Sequence, residues 1–390
     1  MTDRILTVNV GSSSVKAAVF LDRPDVEELA AADVSRVGTA RAELSIGGPD
    51  ATPSVREVQA ADHAAGVRIA LDALGPSVTN LAAVTHRVVH GGNATRPRWI
   101  DRALLADLDA LRPFASEHLP PALDAIGLTA ERFRGVRQAA CFDTAFHATL
   151  ANVARLYPLP RRFADGGVRR YGFHGLSCES VMDSLRAVSA EAASGRIVIA
   201  HLGSGASLTA VRDGHSVDTT MGFSPAGGVM MSTRSGDLDP GVLLYALEHE
   251  QLDAAGLGRL VTREAGLLGV SGTSRDMRDL LAAGADARAR EAVALFCYTA
   301  RKALGALAAV LGGLDTIVFT GGIGEHAAEV RGDILAGLDD FGIRLDPARN
   351  RAHDAVVSAR DSRVTVRVVR SDEDRILARH TSTLLRENRS

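Results

Sequence analysis

Cysteine is scarce in this chain of 390 residues: Cys141, Cys178 and Cys297 stand far apart, and there is no Cys-x-x-Cys. An odd, dispersed set builds no disulfide framework, and no His/Cys cluster has zinc-ligand spacing. The expectation is a reducing compartment, hence a cytoplasmic location. Surplus positive charge is lacking too. A net charge of −3 gives no electrostatic footprint for nucleic acid or for an anionic membrane. No run of about 18 apolar residues is present, so no membrane-spanning helix is expected. The first residues lead into a strand rather than through a basic and then apolar leader, so no secretory signal is expected. There is also no Gly-x-x-x-x-Gly-Lys-Ser/Thr, which excludes a P-loop nucleotide site.

What the chain has is small-residue turns between apolar strands. Arg196-Ile-Val-Ile-Ala200 reads as a buried strand, His201-Leu-Gly-Ser-Gly-Ala-Ser207 as the turn after it, and Leu208-Thr-Ala-Val211 as the returning strand. Gly203 and Gly205 let backbone N–H groups approach an anion, while Ser204 and Ser207 add hydroxyls. A near copy stands at the start, Asn9-Val-Gly-Ser-Ser-Ser-Val-Lys16, again between two apolar strands. A third glycine-rich turn, Thr320-Gly-Gly-Ile-Gly-Glu325, follows the strand 315–319. No short repeat exists. The pattern predicts two related α/β halves closing on a nucleotide, and the length and the 46% hydrophobic content suffice for two cores.

In chain order, residues 24–57 read as further strands and 60–74 as an amphipathic helix. Leu81-Ala-Ala-Val84 reads as a strand delivering His86-Arg-Val-Val-His-Gly-Gly92 at its carboxyl end, where open α/β sheets bind ligands. Gln138-Ala-Ala-Cys-Phe142 does the same for Asp143. The expected domains are 1–147 with 374–390, and 148–373, because the last helix, 372–386, should return to the first half.

Three cationic or titratable residues lie among glycines or at strand ends: Arg87, His174 and Arg234. A lone arginine there is ordinarily a surface ion pair, and a lone histidine a packed residue. Beside two phosphate-type hairpins they read instead as neutralising a transferring phosphoryl group, since planar guanidinium groups bind carboxylate and phosphate in pairs of hydrogen bonds. Asp143 and Glu373 are the acidic candidates, able to hold Mg²⁺ or orient a substrate. The alternative for Glu373 is a plain helix-start acid.

Taken together, seven motifs, in order and across nearly the whole chain, resemble the acetate kinase family. They are Asn9–Lys16, His86–Gly92, Phe142-Asp-Thr-Ala-Phe-His147, Arg169-Arg-Tyr-Gly-Phe-His-Gly175, His201–Gly205, Thr233-Arg-Ser-Gly-Asp-Leu-Asp-Pro240 and Phe319–Glu325. The resemblance implies the actin-like, sugar-kinase-like fold: two duplicated α/β domains, each with a mixed five-stranded sheet flanked by helices, and a cleft between them. It implies reversible transfer of the ATP γ-phosphoryl to a short carboxylate with Mg²⁺, for which Mn²⁺ can substitute, and a homodimer. By matched position, Arg87 and Arg234 would bind carboxylate and phosphoryl group, His174 would stabilise the transition state, and Asp143 would position the substrate and its arginines. Asn9 and Glu373 would hold the metal. Ser12, Ser14 and Lys16 would line one phosphate hairpin, with His201, Gly203, Ser204 and Gly205 opposite. Asp276, Met277 and Arg278, with Gly322 and Gly324, would form the adenosine pocket. Val89, Phe173 and Pro225 would line the acyl pocket.

The chain departs from the family in places. Ser116-Glu-His-Leu-Pro120 stands for Pro-Leu-His-Asn-Pro, which brings Glu117 to the acyl pocket. Ser204 and His326 replace asparagines, Leu176 and Cys178 replace Thr and His, and Met277 replaces an aromatic residue. An unpaired carboxylate is costly beside a methyl group, so butyrate or a branched acid is an alternative substrate. An actin-like ATPase that couples hydrolysis to assembly is the alternative from another class.

Overall fold

The computed structural model describes residues 3–387 apart from 12, 49, 50 and 116–118. It comprises two compact units: the chain up to Ala145 together with its return from Asp372, and Phe146–Ser371. These limits fall two residues before the expected 147/148 and 373/374, which puts Glu373 in the first unit.

The first unit holds β1 (Arg4–Val10), β2 (Ser14–Leu21), β3 (Glu27–Ser35), β4 (Ala42–Gly48), β5 (Ala51–Val58), β6 (Leu81–Val88), β7 (Arg98–Trp99) and β8 (Arg137–Phe142). They form one sheet in the order β5-β4-β3-β2-β1-β6-β8-β7. Eight strands replace the five expected, because 42–58 pairs as a hairpin onto β3 and the short β7 closes the other edge. β1 is antiparallel to β2 and parallel to β6, and β6 is parallel to β8.

β1 is buried on both faces, and its period of two sorts the residues. Leu6, Val8 and Val10 join the core under the helix His63–Ala73, with Val67, Ala70 and Leu71. Ile5 faces the opposite core with Phe20 and Ala378 of the helix Glu373–Glu387. Thr7 and Asn9 share that second face, so the alternation brings both under the first turn of the same helix. Each fully buried Leu, Ile or Phe contributes about 1.5–3 kcal/mol.

The second unit holds β9 (Arg196–Leu202), β10 (Ala206–Arg212), β11 (His215–Thr219), β12 (Thr316–Thr320) and β13 (Thr365–Val368), in the order β11-β10-β9-β12-β13. β9 is antiparallel to β10 and parallel to β12, and β12 is parallel to β13. The strands β3-β2-β1-β6-β8 of the first unit run in the same order and directions. Ile197 and Ile199 pack with Val181, Met182 and Leu185 of the helix Gly175–Val188. The expected helix up to residue 193 is broken at Ser189, which caps a second short helix, Ala190–Ser194. The expected Gly-Gly turn is also a short helix, Gly321–His326.

The helix Ala287–Leu311 is long and apolar enough, by length and composition, to cross a membrane. Here one of its faces packs into the core of the second unit and the other is exposed. Val293, Phe296, Ala300, Leu304 and Leu307 are buried on one face, while Arg288, Arg290 and Lys302 lie outside that stripe.

Candidate functional site

In the first unit, the carboxyl ends of three neighbouring parallel strands bring together Asn9 of β1, Arg87 of β6 and Asp143 just beyond β8. The register sets this: Val8 lies beside His86, and Arg87 beside Cys141. Arg87 forks onto Asp143, donating from Nε to Oδ1 at 3.0 Å and from Nη2 to Oδ2 at 2.6 Å. Asp143 is fully buried. The Arg87 Nη1 donates to Asn9 Oδ1 at 3.2 Å and lies 3.5 Å from Glu373 Oε2. Asn9 Nδ2 in turn donates to Glu373 Oε2 at 2.9 Å. Burial works against the charge on Arg87, but the carboxylates of Asp143 and Glu373 outweigh it and hold its pKa above the usual arginine value. Next along the helix, Asp374 accepts from Thr7 Oγ1 at 3.2 Å, and burial, opposed by Lys16, pushes its carboxyl up to about 7.

Lys16 is an exposed residue of β2 opposite Asp33, 3.9 Å away. Ser14 opens β2 half-buried, and Val89 is buried beyond β6. Ser12 and Glu117 lie outside the described residues.

In the second unit the hairpin β9–β10 forms as expected, with Gly203 N–H donating to Gly205 C=O at 2.9 Å. His174 takes the position before the helix Gly175–Val188 in a left-handed conformation, φ 59°, that few side chains adopt. His147 fixes the peptide before it: the ring Nε2 donates to Phe173 C=O at 2.9 Å, and Nδ1 pairs with Ser216 Oγ at 2.9 Å. The ring also fills the space beside Gly172, φ 77°, where a Cβ would meet it at 2.6 Å.

The His174 ring stacks on His201 with centroids 4.2 Å apart. Ser207 Oγ lies 2.9 Å from His174 Nδ1, and Ser177 Oγ lies 2.8 Å from His201 Nδ1. Arg234 is buried and donates from Nη1 to Pro225 C=O at 2.8 Å. Phe173 is buried beside His174. A Cβ added to Gly205 would stand 3.2 Å from His174 Nε2 and 3.3 Å from Arg234 Nη2. An imidazole and a guanidinium therefore face one small volume that only glycine leaves open. Gly205→Ala is expected to lower turnover at least tenfold without moving the unfolding midpoint by more than a few degrees, as read by steady-state kinetics beside thermal denaturation.

Asp276 caps the helix Met277–Ala282 and pairs with exposed Arg278, whereas Met277 is buried. Ser204 sits exposed at the hairpin tip, and Gly322 and Gly324 lie in the short helix 321–326. Its backbone is held by Arg331, which is wholly buried and donates to the carbonyls of Gly324 at 2.8 Å and Glu325 at 2.9 Å. Sequence reading missed Arg331, Ser177 and the role of His147. Arg331 looks like any helix arginine, Ser177 like any helix serine, and only the fold gives His147 its two partners.

His147 and, in the first unit, His86 are buried neutral imidazoles, pulled down to about 4 by burial. A histidine whose folded pKa is depressed contributes stability that is fully present above its unfolded value and is lost as pH falls. Stability is therefore expected to decline between about pH 6.5 and 4, by roughly 3 kcal/mol per histidine. Urea midpoints across that range test this, and His147→Gln should flatten the decline.

A family model described as the acetokinase family matches residues 4–379. Acetate kinase of Methylocella silvestris is 42% identical over 400 residues, covering 99% of this chain and 98% of that protein. The crystal structure of Porphyromonas gingivalis acetate kinase matches with a TM-score of 0.84 at 36% identity, over 98% of this chain and 100% of that one. A propionate kinase from Francisella tularensis matches with a TM-score of 0.88 at 29% identity, over 97% and 98%.

Proposed function

Since this chain belongs to the acetokinase family, we propose that it transfers the γ-phosphoryl group of ATP to a short carboxylate in a reversible, Mg²⁺-dependent reaction. Acetate is the first substrate of this reading and propionate the second. The observation that carries it is the volume over Gly205, faced by His174 and Arg234.

A carboxylate is nucleophilic at neutral pH, so direct in-line attack needs no strong base. It needs charge neutralisation, alignment and exclusion of water. Arg234 supplies fixed positive charge to the equatorial oxygens, and His174 adds a hydrogen bond. Arg87, held flat by Asp143, brings its positive charge and the remaining Nη2 hydrogen to the anionic substrate. Val89, Phe173 and Pro225 are the apolar residues assigned to the acyl chain, and Asp276, Arg278, Gly322 and Gly324 belong to the nucleotide in the same reading.

Among the described residues no group of three or more His, Cys, Asp or Glu side chains is placed to hold a metal. That suits Mg²⁺, which takes one or two protein oxygens and completes its shell with phosphates and water. Glu373 with Asn9 would hold it, and when bound it would offset charge on the phosphate oxygens. Mn²⁺ has the same preference for oxygen. A homodimer is part of the proposal and is testable by sedimentation velocity.

The decisive experiment is acyl phosphate capture as hydroxamate, with MgATP and acids from formate to butyrate. Turnover greatest with acetate or propionate supports the reading. Turnover only with butyrate or a branched acid moves the substrate. ATP hydrolysis indifferent to every acid overturns it in favour of a non-metabolic ATPase.

A further inference from the structure

We infer that Ser207 and Ser177 are positioning residues that give their hydroxyl protons to the Nδ1 atoms of His174 and His201, holding the stacked rings as neutral Nε2–H donors. This deepens the phosphotransfer reading and rests on it for its catalytic part.

Proton accounting carries the argument. Both serines are fully buried. Among the described residues the Ser207 hydroxyl has His174 Nδ1 as its hydrogen-bond partner, and the Ser177 hydroxyl has His201 Nδ1, with no second hydrogen bond at either oxygen. A helical serine can otherwise donate back to a carbonyl one turn earlier, as Ser184 does to Ser180. Ser177 does not do this: its hydroxyl is turned away from the carbonyls of Phe173 and His174 and onto His201 Nδ1 at 2.8 Å. Were either imidazole to donate from Nδ1, a hydroxyl proton would be stranded in a dry interior. The hydroxyl is therefore the donor, Nδ1 the acceptor, and in the neutral ring the proton sits on Nε2.

The alternation of the hairpin makes this arrangement. His201 continues the face of Ile197 and Ile199, and Ser207 lies on the face of Val211, all against the helix that begins after His174. The two Nε2 atoms then face the two glycines of the turn. His201 Nε2 lies 3.7 Å from the Cβ position of Gly203, and His174 Nε2 lies 3.2 Å from that of Gly205. Rings stacked 4.2 Å apart are far better tolerated as two neutral donors than as two cations. The positive charge at this site is left to Arg234, and the histidines add direction.

The test is nitrogen NMR of the full-length protein labelled with ¹⁵N-histidine at pH 8, with His174→Gln and His201→Gln assigning the signals. The expected result is an Nε2–H tautomer for both rings. Ser207→Ala should turn the His174 signals into a tautomer mixture and lower kcat about tenfold, with KM for ATP and for the acid within about twofold. Ser207→Thr, which keeps the hydroxyl, should restore both. Ser177→Ala should alter His201 alone. An Nδ1–H tautomer or an imidazolium in the wild type overturns the proposal, as does an unchanged His174 spectrum in Ser207→Ala. Wild-type protein that forms no acyl phosphate defeats the phosphotransfer reading instead, and the tautomers still decide the serine assignment.

Discussion

Arg87→Ala is expected to lower the stability of the first unit by about 3–5 kcal/mol, a drop in its melting temperature on the order of 10 °C, and to abolish acyl phosphate formation. The stability loss comes less from the missing contacts than from the group left behind. Asp143 is wholly buried and receives the Arg87 fork on both oxygens. Arg87→Lys keeps a positive charge but offers one point in place of a planar fork, so it should recover part of the stability and little of the activity. The double replacement Arg87→Met with Asp143→Leu removes both charges together. It should regain most of the stability while remaining inactive, because a buried pair replaced by apolar groups costs little. Calorimetry and the hydroxamate assay, run on the same three proteins, separate the two effects. A single variant Arg87→Ala that melts like the wild type would contradict the account of Asp143.

Arg234→Ala should behave differently. Its guanidinium donates from Nη1 to a backbone carbonyl, that of Pro225, at 2.8 Å. The fold should survive with a loss of about 1–2 kcal/mol. Turnover should fall by about 10²–10³, the usual result of removing a preorganised donor from developing negative charge. The loss should appear in kcat more than in KM if the guanidinium acts chiefly on the transition state. A variant that keeps more than a tenth of wild-type kcat, or one that loses only affinity for ATP, would move Arg234 out of the chemistry.

These two arginines also show what a sequence makes legible. Arg87 stands out at the end of an apolar strand beside two glycines, and Arg234 within a glycine-rich loop; strand ends can be read from apolar runs alone. The same logic located Asp143, since 138–142 reads as a strand that must end there. Asn9 and Glu373 are 364 positions apart and bond to each other. Nothing local in the sequence declares that contact, and Glu373 reads equally well as the acid that opens a helix, which it also is. Arg331 was invisible for a related reason: an arginine in a helix is expected at the surface, and only the packed fold shows it buried and holding two carbonyls. The width of the first sheet was missed because 42–58 alternates weakly and gains its place only by pairing onto β3. Lys16 follows its serines in sequence, but the strand period carries it to an exposed position opposite Asp33.

The helix Glu373–Glu387 has a further consequence, in the time order of synthesis. The second unit is one continuous stretch, Phe146–Ser371, whereas the first is split and closes only with residues from Asp372 onward. A ribosome therefore releases all of the second unit before the first can cover Ile5 and Phe20 with Ala378 or bring Glu373 to Asn9. Until then the older half of the nascent chain carries an open apolar sheet face and an arginine–carboxylate cluster short of one partner. Such long-range closure is slow. The segment made first is thus the last to become native, and it is the one with most need of shelter from aggregation while the rest is translated.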